Sequence, residues 1–320
     1  MEYRRLGNSG LKVSEFSFGA WVTFGSQVDD KTALECMKVA YDAGVNFFDN
    51  AEIYAGGRAE TVMGNIFKKM GWDRTTYVVS SKVFWGGKLP NQRGLSRKHI
   101  MEACHAALKR LQVDYLDLYF CHRPDPETPI EETVRAMTDL IRQGKVLYWG
   151  TSEWSAESIM EAYNIAQKYM LVAPTMEQPQ YNLLHRDKVE KEFASLYKEI
   201  GLGLTIWSPL ASGILTGKYN KGIPKDSRLN QSILGWLKDS ITGEEGEKKL
   251  KKVKKLGDFA SELGVNLNHL ALVWCLNNQN VSTVILGASH ADQLKDNLKA
   301  IDTKKLIDNK VMQKIDAIMQ

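Results

Sequence analysis

Short, continuous apolar runs recur along the chain, each followed by a longer segment whose apolar residues fall at helical spacing. The runs cover 16–21, 45–48, 77–83, 116–121, 146–150, 175–178, 203–207 and 281–286. They do not alternate apolar with polar, so they predict strands buried on both faces, the pattern of a parallel sheet. The intervening segments predict helices over 30–43, 59–69, 96–110, 129–142, from Ser155, 188–200, 248–263, 267–276 and 291–300. Ser96 is placed to cap its helix, Pro129 stands at a first turn, and Gly44 closes the first helix. Before this alternation, 3–6 and 11–13 flank Gly7-Asn8-Ser9-Gly10, which predicts a hairpin. After it, 308–319 predicts a terminal helix.

Eight strand–helix units follow one another with no Pro- or Gly-rich linker between them. That count predicts an α/β fold, a (β/α)8 TIM barrel with an N-terminal β-hairpin and an additional C-terminal helix, spanning 1–320 as a single domain. A doubly wound sheet is the alternative. No Gly-x-Gly-x-x-Gly follows the first strand or any other, so a dinucleotide fingerprint of that kind is absent.

Composition narrows the function classes. The 320 residues are 43% hydrophobic and 25% charged, ordinary for a globular chain. A net charge of +4 is too weak to imply nucleic acid. The lysines of 248–255 alternate with Leu250, Val253 and Leu256 at helical spacing and read as one solvated helix face. Cys36, Cys104, Cys121 and Cys275 are widely spaced, which suggests free thiols and no zinc site. His99 and His105 do not share a helix face as a metal pair would and read as surface histidines. No apolar stretch has the roughly 20 residues of a membrane span, and the N-terminus lacks a signal-peptide core, so the chain is expected in the cytoplasm.

Four polar residues lie at or just past strand ends: Asp49 and Tyr54 after the second strand, Lys82 on the third, and His122 after the fourth. In barrels of this class, catalytic groups come from the C-terminal ends of strands. Hydride addition to a carbonyl leaves an alkoxide that a nearby acid must neutralise. A tyrosine ordinarily titrates at about 10, and an ammonium beside it favours the phenolate. Tyr54 is therefore expected as the general acid, with its pKa lowered by Lys82. Asp49 is expected to hold Lys82, and His122 to orient the substrate oxygen. Trp85, Trp154 and Trp236 fall in loops near this face and are expected either as packing or as pocket walls.

Asp49-x4-Tyr54, Lys82 and His122 match in order the Asp–Tyr–Lys–His tetrad of the aldo-keto reductase superfamily, which the chain resembles over nearly its whole length. The strings Trp21-Val22-Thr23-Phe24-Gly25, Phe84-Trp85-Gly86-Gly87-Lys88, Gly94-Leu95-Ser96-Arg97-Lys98-His99-Ile100, Arg123-Pro124-Asp125 and Trp149-Gly150-Thr151-Ser152 are most similar to the branch of voltage-gated potassium channel β subunits and their plant and microbial relatives. This resemblance implies NADPH (NADP+) as cofactor, bound extended across the barrel mouth, and aldehydes or ketones as substrates. Trp21, Gln27 and Asp49 would line its nicotinamide end, Ser152 and Gln178 would hold the carboxamide, and Trp207 would stack on the ring. Ser208, Pro209, Leu210, Ser212 and Lys218 would follow the pyrophosphate, with Arg228 near the adenosine phosphate. Gly287, Ser289, Gln293, Asp296 and Asn297 would close on the adenosine.

Three departures from the family pattern stand out. His122 replaces the Asn of mammalian channel subunits, completing a reductase tetrad. Glu153 stands where relatives often carry Asn or Arg. Gly287 and Gln293 replace the basic pair with which many members grip a 2′-phosphate, leaving Lys218 and Arg228 for that task. The branch also implies a homotetramer and an alternative role as an auxiliary channel subunit with a redox-sensing barrel. The absence of an extension ahead of the hairpin, together with His122, favours the reductase.

Overall fold

A computed structural model describes residues 1–21, 23–25, 28–220, 222 and 242–320. The chain forms two compact units, one of 1–179, 187–207 and 279–295, the other of 180–186, 208–278 and 296–320.

The first unit opens with the expected hairpin, β1 (Tyr3–Arg5) antiparallel to β2 (Lys12–Ser14). Eight strands then close a parallel barrel, as the apolar runs predict. They are β3 (Phe16–Gly19), β4 (Phe47–Asp49), β5 (Val78–Val83), β6 (Leu116–Cys121), β7 (Val146–Thr151), β8 (Met176–Glu177), β9 (Gly203–Ile206) and β10 (Val281–Leu286), with β10 pairing back onto β3. The shortest, β8, is extended by backbone bonds from Thr175 N to Trp149 O and from Gln178 N to Thr151 O. Sequential strands are joined through α1 (Asp30–Asp42), α2 (Arg58–Met70), α3 (Arg97–Leu111), α4 (Ile130–Arg142) and α5 (Ala156–Lys168). Ser96 caps α3 by accepting from His99 N, and Ser155 caps α5 by accepting from Ser158 N. The expected 188–200 helix is divided: a π turn, Lys188–Glu192, inserts a residue before α6 (Ala194–Glu199).

Leu6 and Val13 of the hairpin pack with the inward-facing Phe47, Val78, Leu118, Phe120 and Met176. Arg4 Nη1 donates to Val281 O (2.9 Å) and Asn8 N to Gly201 O (2.9 Å), both at or before the start of a strand. The hairpin therefore plugs the N-terminal end of the barrel, and the opposite end is left for polar chemistry. Burying that apolar set stabilises the barrel by roughly 1.5–3 kcal/mol for each large side chain.

In the second unit, α7 (Gly243–Glu262) buries Val253, Leu256, Phe259 and Ala260, and Lys251, Lys254 and Lys255 stay exposed, the solvated face read from the sequence. The almost uniformly apolar α8 (Leu267–Asn277) is buried along most of its length. The helix α9 (Ala291–Leu298) passes into 3-10 turns over Lys299–Leu306, two residues short of the expected end at 300. The terminal helix α10 (Asn309–Met319) is capped by Asp308, which accepts from Lys310 N and Val311 N. All four cysteines are buried and free. No helix among the described residues is long and apolar enough to cross a membrane.

Candidate active site

Parallel register carries Asp49, Lys82 and His122 to the same end of the barrel. Asp49 ends β4 beside Gly19, Lys82 pairs with Phe120 one residue before the end of β5, and His122 follows β6 directly. Tyr54 reaches them from a 3-10 turn, Tyr54–Gly57. There Ala55 (φ +50°), Gly56 (+62°) and Gly57 (+87°) run left-handed before α2 begins. That conformation is costly at Ala55, and it turns the chain so that α2 departs while Tyr54 stays over the barrel.

Lys82 Nζ donates to Asp49 Oδ2 (2.6 Å), Asn50 O (2.7 Å) and Tyr54 Oη (3.1 Å). The Asp49 carboxylate at 2.6 Å pairs Lys82 as an ammonium, whose three hydrogens match these three acceptors. Burial pushes Lys82 below its usual value, and the Asp49 charge and hydrogen bond oppose that. Asp49 Oδ1 accepts from Ser80 Oγ (2.8 Å) and Gln178 Nε2 (3.1 Å), and Gln178 also donates to Thr205 Oγ1 (3.2 Å). The carboxylate is fixed by three neighbours, and it fixes the ammonium in turn.

Tyr54 Oη accepts from Lys82, so its own hydrogen points elsewhere. The expectation of a lowered phenol pKa does not describe this arrangement. Burial and the Asp49 carboxylate push Tyr54 well above 10, against the opposing pull of Arg123. The phenol therefore keeps its proton, with the Lys82 ammonium in contact with its oxygen.

The His122 ring lies 5.9 Å from that of Tyr54 and 5.0 Å from that of Trp85, edge to face with both. Its Nδ1 is buried with no hydrogen-bond partner among the described residues. Burial, Lys82 and Arg123 hold the imidazole well below its usual pKa, so it is neutral. Trp85 is half-buried and borders the site, whereas Trp154 is buried packing and Trp236 lies outside the described residues. Cys121, behind His122, is fully buried, and burial pushes its thiol well up.

Among the residues assigned to a cofactor by resemblance, Trp21 and Trp207 meet edge to face at 6.2 Å. Trp207 Nε1 donates to Glu153 Oε1 (3.0 Å), and Lys188 pairs with Glu153 Oε2 (3.0 Å). Ser152 Oγ donates to Gln178 O (2.8 Å). Past β10, Gly287 is open to its surroundings, and Ser289 N and Oγ both donate to Gln293 Oε1 (2.9 and 3.1 Å). In the second unit, Ser208 O accepts from Asn182 Nδ2 (2.9 Å). Pro209 is buried, Leu210 is half-buried, and Ser212 (φ +56°) lies in a left-handed turn. Lys218 is exposed, with its ammonium 5.0 Å from the Tyr219 ring and no carboxylate paired to it among the described residues. Asn268 Nδ2 donates to Asp296 Oδ2 (3.0 Å) and Asn297 Oδ1 (3.2 Å). Gln27 and Arg228 lie outside the described residues.

Sequence reasoning missed Ser80, Thr205, Arg123 and Asn268 as supports of these groups. Ser80 carried a usable signal: it is two residues from Lys82 on a strand and so shares its face. The reading of His99 as a surface histidine is corrected. His99 is 4% exposed, with Nδ1 against Gly94 O (2.9 Å) and Nε2 3.5 Å from Glu52 Oε2. Burial opposes its charge, but Glu52 and the Gly94 carbonyl outweigh it and raise its pKa.

A closed barrel of eight parallel strands, with an ammonium, a carboxylate, a phenol and an imidazole gathered at strand C-termini, defines a (β/α)8 protein of enzyme type. The chain belongs to the aldo/keto reductase family, whose model matches residues 15–320. It is 54% identical over 321 residues to a "Probable voltage-gated potassium channel subunit beta" of Oryza sativa subsp. japonica, covering 100% of this chain and 97% of that one. A protein of the same description from Arabidopsis thaliana is likewise 54% identical over 321 residues, with the same coverage. Family membership supports an oxidoreductase role, and the family generally uses a nicotinamide cofactor.

Proposed function

We propose that the chain is an NADPH-dependent reductase of aldehydes and ketones, acting as one functional domain over 1–320 with Tyr54 as general acid. The observation that carries this reading is the bond from Lys82 Nζ to Tyr54 Oη (3.1 Å) while the same ammonium is held by Asp49 (2.6 Å). When bound, the reduced nicotinamide supplies the hydride to the carbonyl carbon, and the proton from Tyr54 Oη completes the alcohol, leaving the nicotinamide oxidised. As the proton leaves, the phenolate is stabilised by Lys82, whose own charge Asp49 balances. Neutral His122 is placed to donate one hydrogen bond to the substrate oxygen without competing as an acid.

The residues present fit a nicotinamide dinucleotide in kind. Gln178 gives its amide hydrogens to Asp49 and Thr205, so its carbonyl oxygen remains as the acceptor for a carboxamide. Trp207, fixed through its indole N–H, offers a ring face. Lys218, with no carboxylate of its own among the described residues, suits a phosphate. Trp21, Ser152, Ser208, Pro209, Leu210, Ser212, Gly287, Ser289, Gln293, Asp296 and Asn297 complete the proposed set. Tyr54→Phe tests the reading: reduction of a nitrobenzaldehyde should fall by about two to four orders of magnitude with NADPH binding retained. Undiminished turnover would refute Tyr54 as the acid.

The descriptions of the two plant relatives favour a second reading, an auxiliary subunit of a voltage-gated potassium channel; a homotetrameric, cytoplasmic assembly is the further part of this proposal. Co-purification with a channel's cytoplasmic domain, with the mass measured by light scattering, tests it; failure to bind any such domain counts against it.

A further inference from the structure

Arg123 follows His122 in the loop between β6 and α4 and is half-buried at the edge of the candidate site. Its Nη1 donates to the carbonyl of His122 and, at 3.4 Å, to Ser152 Oγ. Its guanidinium carbon lies 5.3 Å from the ring centre of Trp85, the residue whose indole meets His122 at 5.0 Å. Nε and Nη2 have no acceptor among the described residues, and no carboxylate pairs with this cation there. The nearby acids are engaged elsewhere. Asp125 accepts from Leu95 N (2.6 Å), Glu127 N (3.0 Å) and Thr128 Oγ1 (2.8 Å). Glu52 accepts from Phe84 N (2.7 Å) and faces His99, and Asp49 is matched by Lys82. Arg123 thus has no carboxylate paired with it among the described residues, and it is held in place by a carbonyl and a ring.

A structural role accounts for the Nη1 bond and the contact with Trp85. It does not account for a planar fork whose remaining edge is unused, because Arg presents five donors in fixed geometry matched to a carboxylate. Such a bond is charge-assisted, and partial burial strengthens it relative to one in open water.

We infer that Arg123 binds a carboxylate on the substrate, so that the favoured substrates are short aldehydes and ketones bearing an acid group. The reacting carbonyl sits between Tyr54 and His122, and the carboxylate reaches past Trp85 to the free edge of the guanidinium. This inference rests on the carbonyl-reductase reading and adds the substrate class to it. Arg123 determines specificity; it does not transfer the proton.

The test uses the full chain saturated with NADPH and two matched pairs, 4-formylbenzoate against its methyl ester and 4-oxobutanoate against its methyl ester. The expected result is a kcat/KM at least about tenfold higher for each acid, expressed mainly in KM and shrinking as salt is raised. In Arg123→Gln the acid-to-ester ratio should fall to about one or below, whatever the absolute rate, with Arg123→Lys between the two. By calorimetry, 4-(hydroxymethyl)benzoate should bind the NADP+-loaded protein more tightly than its amide, and Arg123→Gln should remove the difference. Equal use of acid and ester by the unaltered protein, or a preference that survives in Arg123→Gln, would overturn the inference. The salt dependence of the unaltered protein decides the matter even if a variant fails to fold. Reduction of none of the four compounds would instead strike at the reductase reading itself.

Discussion

The Lys82 ammonium and the Asp49 carboxylate meet at 2.6 Å inside the barrel, with side chains 0% and 3% exposed. Neither charge has water to fall back on, so each is tolerable only because of the other and of the polar groups around both. Removing one partner strands the other, at a cost of about 3–5 kcal/mol for a buried pair. Asp49→Asn should therefore lower the unfolding free energy by an amount in that range, read from urea titration. Lys82→Met combined with Asp49→Asn should cost less than the sum of the two single changes.

Gly150 on β7 is a second point of low tolerance. A Cβ there would lie 2.1 Å from Met176 O, on the neighbouring strand of the closed barrel. Gly150→Ala must push β7 and β8 apart, and overpacking of this kind costs about 1–3 kcal/mol or more. Gly10→Ala, at a hairpin position with open space around it, serves as the control and should change the melting temperature little.

Glu177 gives stability a pH dependence with a defined sign. Burial is the main cause that raises its carboxyl from the usual 4.5 to about 8, against the opposing bond from Thr151. Its Oε1 has no hydrogen-bond partner among the described residues. A carboxyl with a raised folded pKa binds its proton more tightly in the native state, so it contributes stability below about 4.5 that is lost as pH rises through 8. Unfolding free energy should fall between pH 5 and pH 9 by up to a few kcal/mol from this group. Glu177→Gln cannot titrate, and its curve over that range should be flatter; parallel curves would count against a buried neutral Glu177.

The neutrality of His122 is open to direct measurement. Burial, Lys82 and Arg123 hold its pKa well below 6.5. Its ring-proton NMR signal should not move between pH 6 and 8. A His122 transition near pH 6.5 would show that the imidazole carries a proton in the working range.

Much of this architecture was legible along the chain. Continuous apolar runs marked the eight strands, and polar residues at their ends marked Asp49, Lys82 and His122, because a buried parallel strand excludes such groups except where it leaves the core. The same burial on both faces removed the alternation that would separate inward from outward side chains. Ser80 and Thr205 therefore looked like ordinary strand residues until the closed barrel aimed them at Asp49 and Gln178. His99 looked solvated until Glu52 and the Gly94 carbonyl, distant from it along the chain or folded back in a loop, were found on either side.

What the sequence determined by itself was the set of elements, the barrel they form and the chemical types gathered at one end. Those depend on local hydrophobicity and strand order, both written directly in residue identity. The tertiary structure alone decided how the charges balance. Burial and distance act between residues far apart in the chain. They left Lys82 charged with all three hydrogens donated, raised the Tyr54 phenol where a lowered one was expected, kept His122 neutral, and set Arg123 beside Trp85 with its outer edge free.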